Sequence, residues 1–363
     1  MLDVTLRNVT YRHEGGFALR DLTHTFAGST HTAVVGPPAC GASTLLRLIA
    51  GTLRPQAGAV VFGQRRVNDV KPARRPSLFV TGTLDVSPRW SVQHALVAAV
   101  RSRSLDREDR HHEYALAAEK WELGAILERR IASLSSTEIA RVQCARIELL
   151  RPAILLADHL LDGVNPSVRA NLADMFHRTL RVHGTTVITA PSSREELATV
   201  ETLLVLRDGA IVQRGSAAEL FAHPEDEAAA VAVGDADAIP ITIRGTAVDS
   251  VIGSWEVDPA PFQGDGVALV RPGDFAAARP GEDSDVIFGV EEAGFAGGRW
   301  IARGMLTGGV SLRVELPSGV DVHKGRLLAL RYDPARFTLL PREREALQPT
   351  IPTDVVPPMR ETR

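Results

Sequence analysis

The sequence is short of several things at once, and each shortage removes a class of protein. Only two of its 363 residues are cysteine, Cys40 and Cys144. They lie far apart and in no C-x-x-C or metal-like spacing, which argues against a disulfide scaffold or zinc module and predicts free, partly buried thiols in a reducing compartment. No stretch reaches the roughly 18 consecutive apolar residues of a membrane span. Residues 1–11 also lack a basic segment followed by an apolar core, so neither a spanning helix nor a signal peptide is expected. Charge of one sign is missing too: 41 Lys and Arg against 44 Asp and Glu leave a formal net charge of -3. Such a balance sets up no field that would recruit nucleic acid or an anionic membrane, so partners must be chosen by local surfaces. There is no internal repeat or low-complexity tract, and the expectation is a cytosolic or peripheral protein.

What is present alternates. Up to about residue 215, short β-branched runs such as "TAVVG", "AILLAD" and "TTVITA" are interleaved with helical stretches such as "STLLRLIAG" and "PSVRANLADMFHRTLRVHG". That rhythm predicts an α/β sheet with helices packed on it. Beyond "AAELFAHPEDEAAAVA" the texture becomes richer in Gly, Pro and Val. There "ITIRGTAVDSVIGSWEV", "GVALVRP", "VSLRVELPSGVDV" and "GRLLALRYD" read as short strands between turns, a small all-β domain. The expected organisation is an α/β domain over 1–236, a β domain over 237–345 and a proline-rich tail over 346–363 with little to bury. The doublet His111-His112 sits in "REDRHHEY", which reads as a solvated helix face.

In "TAVVGPPACGASTLLRLIAG" a strand ends at Gly36, a loop follows, and a helix is expected to open at about Ser43. Gly36 and Gly41 tolerate unusual dihedrals, and free N–H groups at a helix start favour anionic oxygens. A phosphate-binding loop of the G-x-x-x-x-G-K-[ST] kind would place lysine between Gly41 and Ser43, where this chain has Ala42. The motif alone therefore reads equally as a Gly/Pro turn.

Its neighbours change that reading. Six matches occur in order between residues 4 and about 215: Tyr11, the loop with "STLLRLIAG" after it, "LSSTEIARVQCAR", "RPAILLADHLLDGVNP", "TTVITAPSSREE" and the hairpin "RDGAIVQRG". Together they resemble the nucleotide-binding subunit of ATP-binding-cassette (ABC) transporters, particularly importers. The resemblance implies a P-loop ABC ATPase domain that binds ATP with Mg²⁺. It implies that Tyr11 stacks on adenine, that Gly36, Cys40, Gly41, Ala42, Ser43 and Thr44 form the phosphate loop, and that Ser43 and Asp158 hold the metal. Ser135 and Ser136 stand in the signature that meets a partner's γ-phosphate. It also shows losses. Ala42 replaces the phosphate-binding lysine, Gly82 the metal-sensing glutamine, His159 the glutamate that polarises water, Ser192 the switch histidine and Asn165 the aspartate joining the two sites. Ser136, Thr137 and Glu138 replace the Gly, Gly and Gln of the signature.

From about residue 239 to 341 the chain resembles the small oligonucleotide-binding-like (TOBE-type) β domain of sugar, polyamine and ferric-iron importer ATPases, on "VALVRPGDF" and on the iron-type linker "VAVGDADAIPITIRG". That domain pairs subunits or senses effectors and does not bind nucleic acid, and no groove of clustered basic and stacking aromatic residues is seen. The resemblance implies a peripheral subunit on the inner membrane face, docked on a permease and dimerised head to tail with a second cassette. Two readings remain. One is a pseudo-ATPase with weak nucleotide binding, whose partner's loop meets Ser135. The other is an active ATPase using His159 as base, beside a third possibility of a regulatory or scaffolding protein.

Overall fold

The computed structural model describes residues 2–342 except 14, 15, 17, 280 and 281, so the proline-rich segment 346–363 lies outside the described residues. The chain divides into two compact units, one ending at Ala236 and the other beginning at Asp237.

The first unit is built on a six-stranded sheet in the order Ala210–Gly215, Thr202–Arg207, His31–Val35, Thr186–Ala190, Ile154–Asp158, Ser77–Thr81. All neighbours are parallel except the Thr202–Arg207/Ala210–Gly215 hairpin. Every residue of Ile154–Asp158 is buried, the signature of a parallel strand covered on both faces. A second, antiparallel sheet pairs Val4–Arg12 with Ala18–Phe26 and Ala57–Phe62.

Among the described residues, seven α-helices complete the unit: α1 (Ala42–Ala50), α2 (Val92–Arg101), α3 (Arg107–Lys120), α4 (Ser136–Leu150), α5 (Pro166–Val182), α6 (Ala217–Ala222) and α7 (Glu227–Val233). Helix α1 starts one residue earlier than the sequence suggests. It is bracketed by Gly41 and Gly51, both left-handed at φ 106° and 83°, a conformation that a Cβ disfavours. Its apolar face, Leu45, Leu46, Leu48 and Ile49, packs with Val34, Leu156, Ile188 and Leu204 of the sheet. Helix α4 packs Val142, Cys144, Ile147 and Leu149 with Leu96 of α2 and the fully buried Trp121. Both cysteines are free, as expected, but buried rather than partly so. Burial pushes both thiols up, away from reactivity.

The second unit is a small, nearly closed barrel of two five-stranded sheets. One runs Gly253–Glu256, Ala247–Ser250, Asp237–Arg244, Gly264–Val270, Thr338–Pro341, and the other Phe275–Ala277, Leu327–Tyr332, Val286–Ala296, Arg299–Leu306, Ser311–Pro317. Period-two alternation sends Ile239, Ile241 and Ile243, with Leu312, Val314 and Leu316, into one core. In "VRPGDF" the buried Asp274 accepts the Arg271 N–H at 2.7 Å and faces Arg336 at 3.1 Å.

Candidate functional site

The turn from His31–Val35 into α1 opens a cleft of about 590 Å³ at the C-terminal ends of the parallel strands, where open α/β sheets bind ligands. The cleft gathers Gly36, Cys40, Gly41, Ala42, Ser43 and Thr44 from the turn, His159 from the end of Ile154–Asp158, and Ser192 from the segment after Thr186–Ala190. Gly36 is obligatory, since a Cβ there would lie 2.0 Å from the Leu206 carbonyl oxygen. The turn is poor in donors. Pro37 and Pro38 have no N–H, and the Cys40 N–H is spent on the Pro37 carbonyl at 3.0 Å. Ala42 offers no charge. Among the described residues of the lining, Arg194 is the one Lys or Arg, and its guanidinium is held by Asp235 at 2.8 Å and the Val231 carbonyl at 3.2 Å.

Below the turn, the Ser43 hydroxyl donates to Asp158 Oδ1 at 2.7 Å, and Asp158 is buried. Two oxygen ligands of the kind a hard divalent cation takes are thus adjacent. His159 follows at φ 50°, left-handed and strained for a residue with a Cβ. Its N–H is held by the Ala190 carbonyl at 2.9 Å, its ring is 52% exposed, and Nε2 is 3.8 Å from Asp158 Oδ1. A Cβ at Gly82 would stand 2.9 Å from the His159 carbonyl oxygen, so a longer side chain at position 82 requires this turn to shift. The Ser192 N–H donates to Glu196 Oε1 at 2.9 Å, while its Oγ is buried with no hydrogen-bond partner among the described residues. Burial, against three local hydrogen bonds, pushes Glu196 up. Tyr11 is not among the lining residues; it packs edge-on against His13, which is. Sequence reasoning did not single out His13, which belongs to no motif, or Arg194, which lies within "TTVITAPSSREE" but at a position to which the resemblance gives no role.

The chain as a whole is similar to proteins of known class. Residues 19–161 match the family model described as ABC transporter. The chain is 26% identical over 347 residues to the sn-glycerol-3-phosphate import ATP-binding protein UgpC 3 of Agrobacterium fabrum, covering 93% of this chain and 98% of that one. It is 30% identical over 278 residues to UgpC of Rhodopseudomonas palustris strain BisB5, covering 76% and 75%. The chain belongs to the ABC importer ATP-binding subunits. Among solved structures, cbiO1 of Clostridium perfringens, part of an ABC transporter complex, aligns at TM-score 0.53 over 61% of this chain and 90% of its own, at 18% identity. The dimeric bacterial ABC transporter cassette MJ0796 aligns at 0.52 over 59% and 98%, also at 18%. At that identity the likeness speaks for fold.

The signature of this ABC subunit lies apart from the loop cleft. Ser135 and Ser136, with Thr137, Gly163 and Asn165, border a separate recess. Ser135 caps α4 in a capping box. Its N–H and its hydroxyl both donate to Glu138 Oε2, at 2.8 and 3.0 Å, while Arg129 Nη1 holds Glu138 Oε1 at 2.7 Å. The Ser135 N–H, with its hydroxyl and Arg129, keeps the Glu138 carboxyl below the usual carboxylate range. The anion position at the start of α4 is therefore filled by the chain's own carboxylate. Asn165 caps α5 through Ser167 at 3.0 Å, and its N–H meets Thr137 Oγ1 at 3.3 Å. ATP and Mg²⁺ binding is typical of the family. In this chain the metal-side pair Ser43 and Asp158 fits that role, whereas the phosphate side is depleted.

Proposed function

We propose that this subunit is a pseudo-ATPase: it docks on a permease and pairs with a second cassette, binds nucleotide weakly and turns it over slowly or not at all. The reading rests above all on Ala42. Without lysine, the loop forgoes charge-assisted hydrogen bonds of about 1.5–3 kcal/mol each to the outer phosphates. The nearest substitute, Arg194, is already committed to Asp235 and Val231. His159 in place of a carboxylate base and the self-occupied Ser135 point the same way. A protein of this kind works on the cytoplasmic membrane face through its permease, and no helix among the described residues is long and apolar enough to cross the bilayer. The similarity to glycerol-3-phosphate import proteins supports a small polar solute as cargo. Isothermal calorimetry of the full chain with Mg²⁺ and ATP tests the proposal: it requires affinity well short of the micromolar range, and tight binding that Asp158→Asn abolishes would overturn it.

A further inference from the structure

The metal-side corner of the cleft has exchanged one donor for another. Where the resemblance places a metal-sensing glutamine, Gly82 has no side chain, and where it places a water-polarising glutamate, His159 presents an imidazole. The two changes are coupled in space, because a Cβ at position 82 would stand 2.9 Å from the carbonyl oxygen of the left-handed His159. That residue is pinned by the Ala190 carbonyl, which takes its N–H at 2.9 Å. The ring is held half-exposed at the cleft, with Nε2 3.8 Å from Oδ1 of the buried Asp158. The Ser43 hydroxyl reaches the same Oδ1 at 2.7 Å. A hydroxyl and an imidazole nitrogen are thus gathered about one carboxylate oxygen. Two residues beyond Ala190, the Ser192 hydroxyl is a further buried oxygen in the cleft lining with no partner among the described residues.

Two donors that bind one first-row ion at about 2.0–2.2 Å each lie up to roughly 4 Å apart. The 3.8 Å between Nε2 and Oδ1 is within the reach of a shared ion. Ligand softness then decides which ion. Mg²⁺ takes oxygen ligands and leaves imidazole to solvent, whereas Zn²⁺ and its neighbours in the first transition row accept nitrogen. Among the described residues no three His, Cys, Asp or Glu side chains converge on an ion, so the remaining positions fall to water and to phosphate oxygens, as in an open site. We infer that His159 is a metal ligand which, with Asp158 and Ser43, turns the cation site of the cleft from one suited to Mg²⁺ into one for a divalent transition ion of the Zn²⁺ class, an assignment that rests on reading the cleft as a nucleotide site. The lone pair that Nε2 gives to an ion is withdrawn from proton abstraction, which accords with slow or absent turnover.

The test uses the full chain, freed of any affinity tag and stripped of metal by chelation, with Co²⁺ as the spectroscopic probe for the Zn²⁺ class. Calorimetry and the visible absorption of Co²⁺ follow binding to wild type, His159→Asn, His159→Glu and Asp158→Asn, with Mg²⁺ titrated in parallel and thermal melts checking that each folds. Asparagine tolerates the left-handed backbone while removing the imidazole. Raw affinity follows the ion's place in the transition series at any site, so the readout is the change between variants. His159→Asn is expected to lower Co²⁺ affinity at least about ten-fold and to leave Mg²⁺ binding as in wild type. His159→Glu is expected to shift the preference toward Mg²⁺, and Asp158→Asn to weaken both ions. Equal Co²⁺ affinity and the same absorption in wild type and His159→Asn would overturn the inference. Loss of Co²⁺ in His159→Asn with full binding by Asp158→Asn would also overturn it, marking an isolated surface imidazole. A His159-dependent Co²⁺ spectrum, with no rise in trinitrophenyl-ATP fluorescence on adding the chain with either ion, would uphold the ligand and overturn the nucleotide-site reading instead.

Discussion

At the phosphate loop, several donors are missing although the N–H groups at the start of α1 remain: Pro37 and Pro38 lack N–H groups, Cys40 spends its own on Pro37, and Ala42 carries no charge. At the signature helix the donors are present but engaged, since Ser135 gives both its N–H and its hydroxyl to Glu138. The first deficit is a deletion, which only a new side chain can repair. The second is a competition between two anions for one helix start, and removing a single charge shifts it. Two faces that look equally degenerate as motifs are thus expected to respond very differently to single substitutions.

The largest effect is expected at the loop. Ala42→Lys should raise ATP affinity by roughly 10- to 100-fold, the equivalent of about one charge-assisted bond, with little gain in turnover because His159 still stands in the base position. Calorimetry and phosphate release, read side by side, separate the two. Unchanged affinity would mean that the prolines, rather than the missing charge, limit the loop.

At the signature, Glu138→Gln keeps the capping geometry and removes the resident charge. Mixed with a cassette whose loop is intact, the variant should support ATP turnover a few-fold faster than wild type, consistent with relief of about 1 kcal/mol of charge competition. No change would place the obstruction in Ser136 and Thr137 instead. A smaller effect is expected between loop and sheet. Ser43→Ala removes the hydroxyl that donates to buried Asp158 and should lower unfolding free energy by about 1–2 kcal/mol in urea. A neutral result would show that water replaces the hydroxyl without loss.

The smallest effect is in acid. Because the folded-state pKa of Glu138 is depressed, its contribution to stability is fully present above the ordinary carboxylate value and disappears as pH falls through the folded one. The stability gap between wild type and Glu138→Gln should therefore close on acidification. A gap that widens would reverse the sign of that assignment.

Much of this was legible in the sequence, for identifiable reasons. Buried parallel strands leave continuous apolar runs such as "AILLAD", and the step from a strand through glycines into an amphipathic helix marks the loop whatever occupies position 42. The α/β unit followed by a β-barrel was readable for that reason. Ser135 and Glu138 were read from the sequence only as signature positions; the capping box they form, and Arg129, nine positions before Glu138, which joins it, emerge only from the fold. Arg194 held by Asp235 and the ring of His13 in place of Tyr11 at the cleft are likewise products of chain segments meeting from a distance.

The central claim is that this ABC subunit does not drive ATP hydrolysis from its own loop. Steady-state phosphate release by the purified full chain with Mg²⁺ and ATP, set against Asp158→Asn, tests it most directly. The account predicts that the two proteins are indistinguishable and at background. Sustained release by the wild type at about one turnover per second or faster, the lower end of ordinary enzyme rates, that Asp158→Asn abolishes, would contradict it.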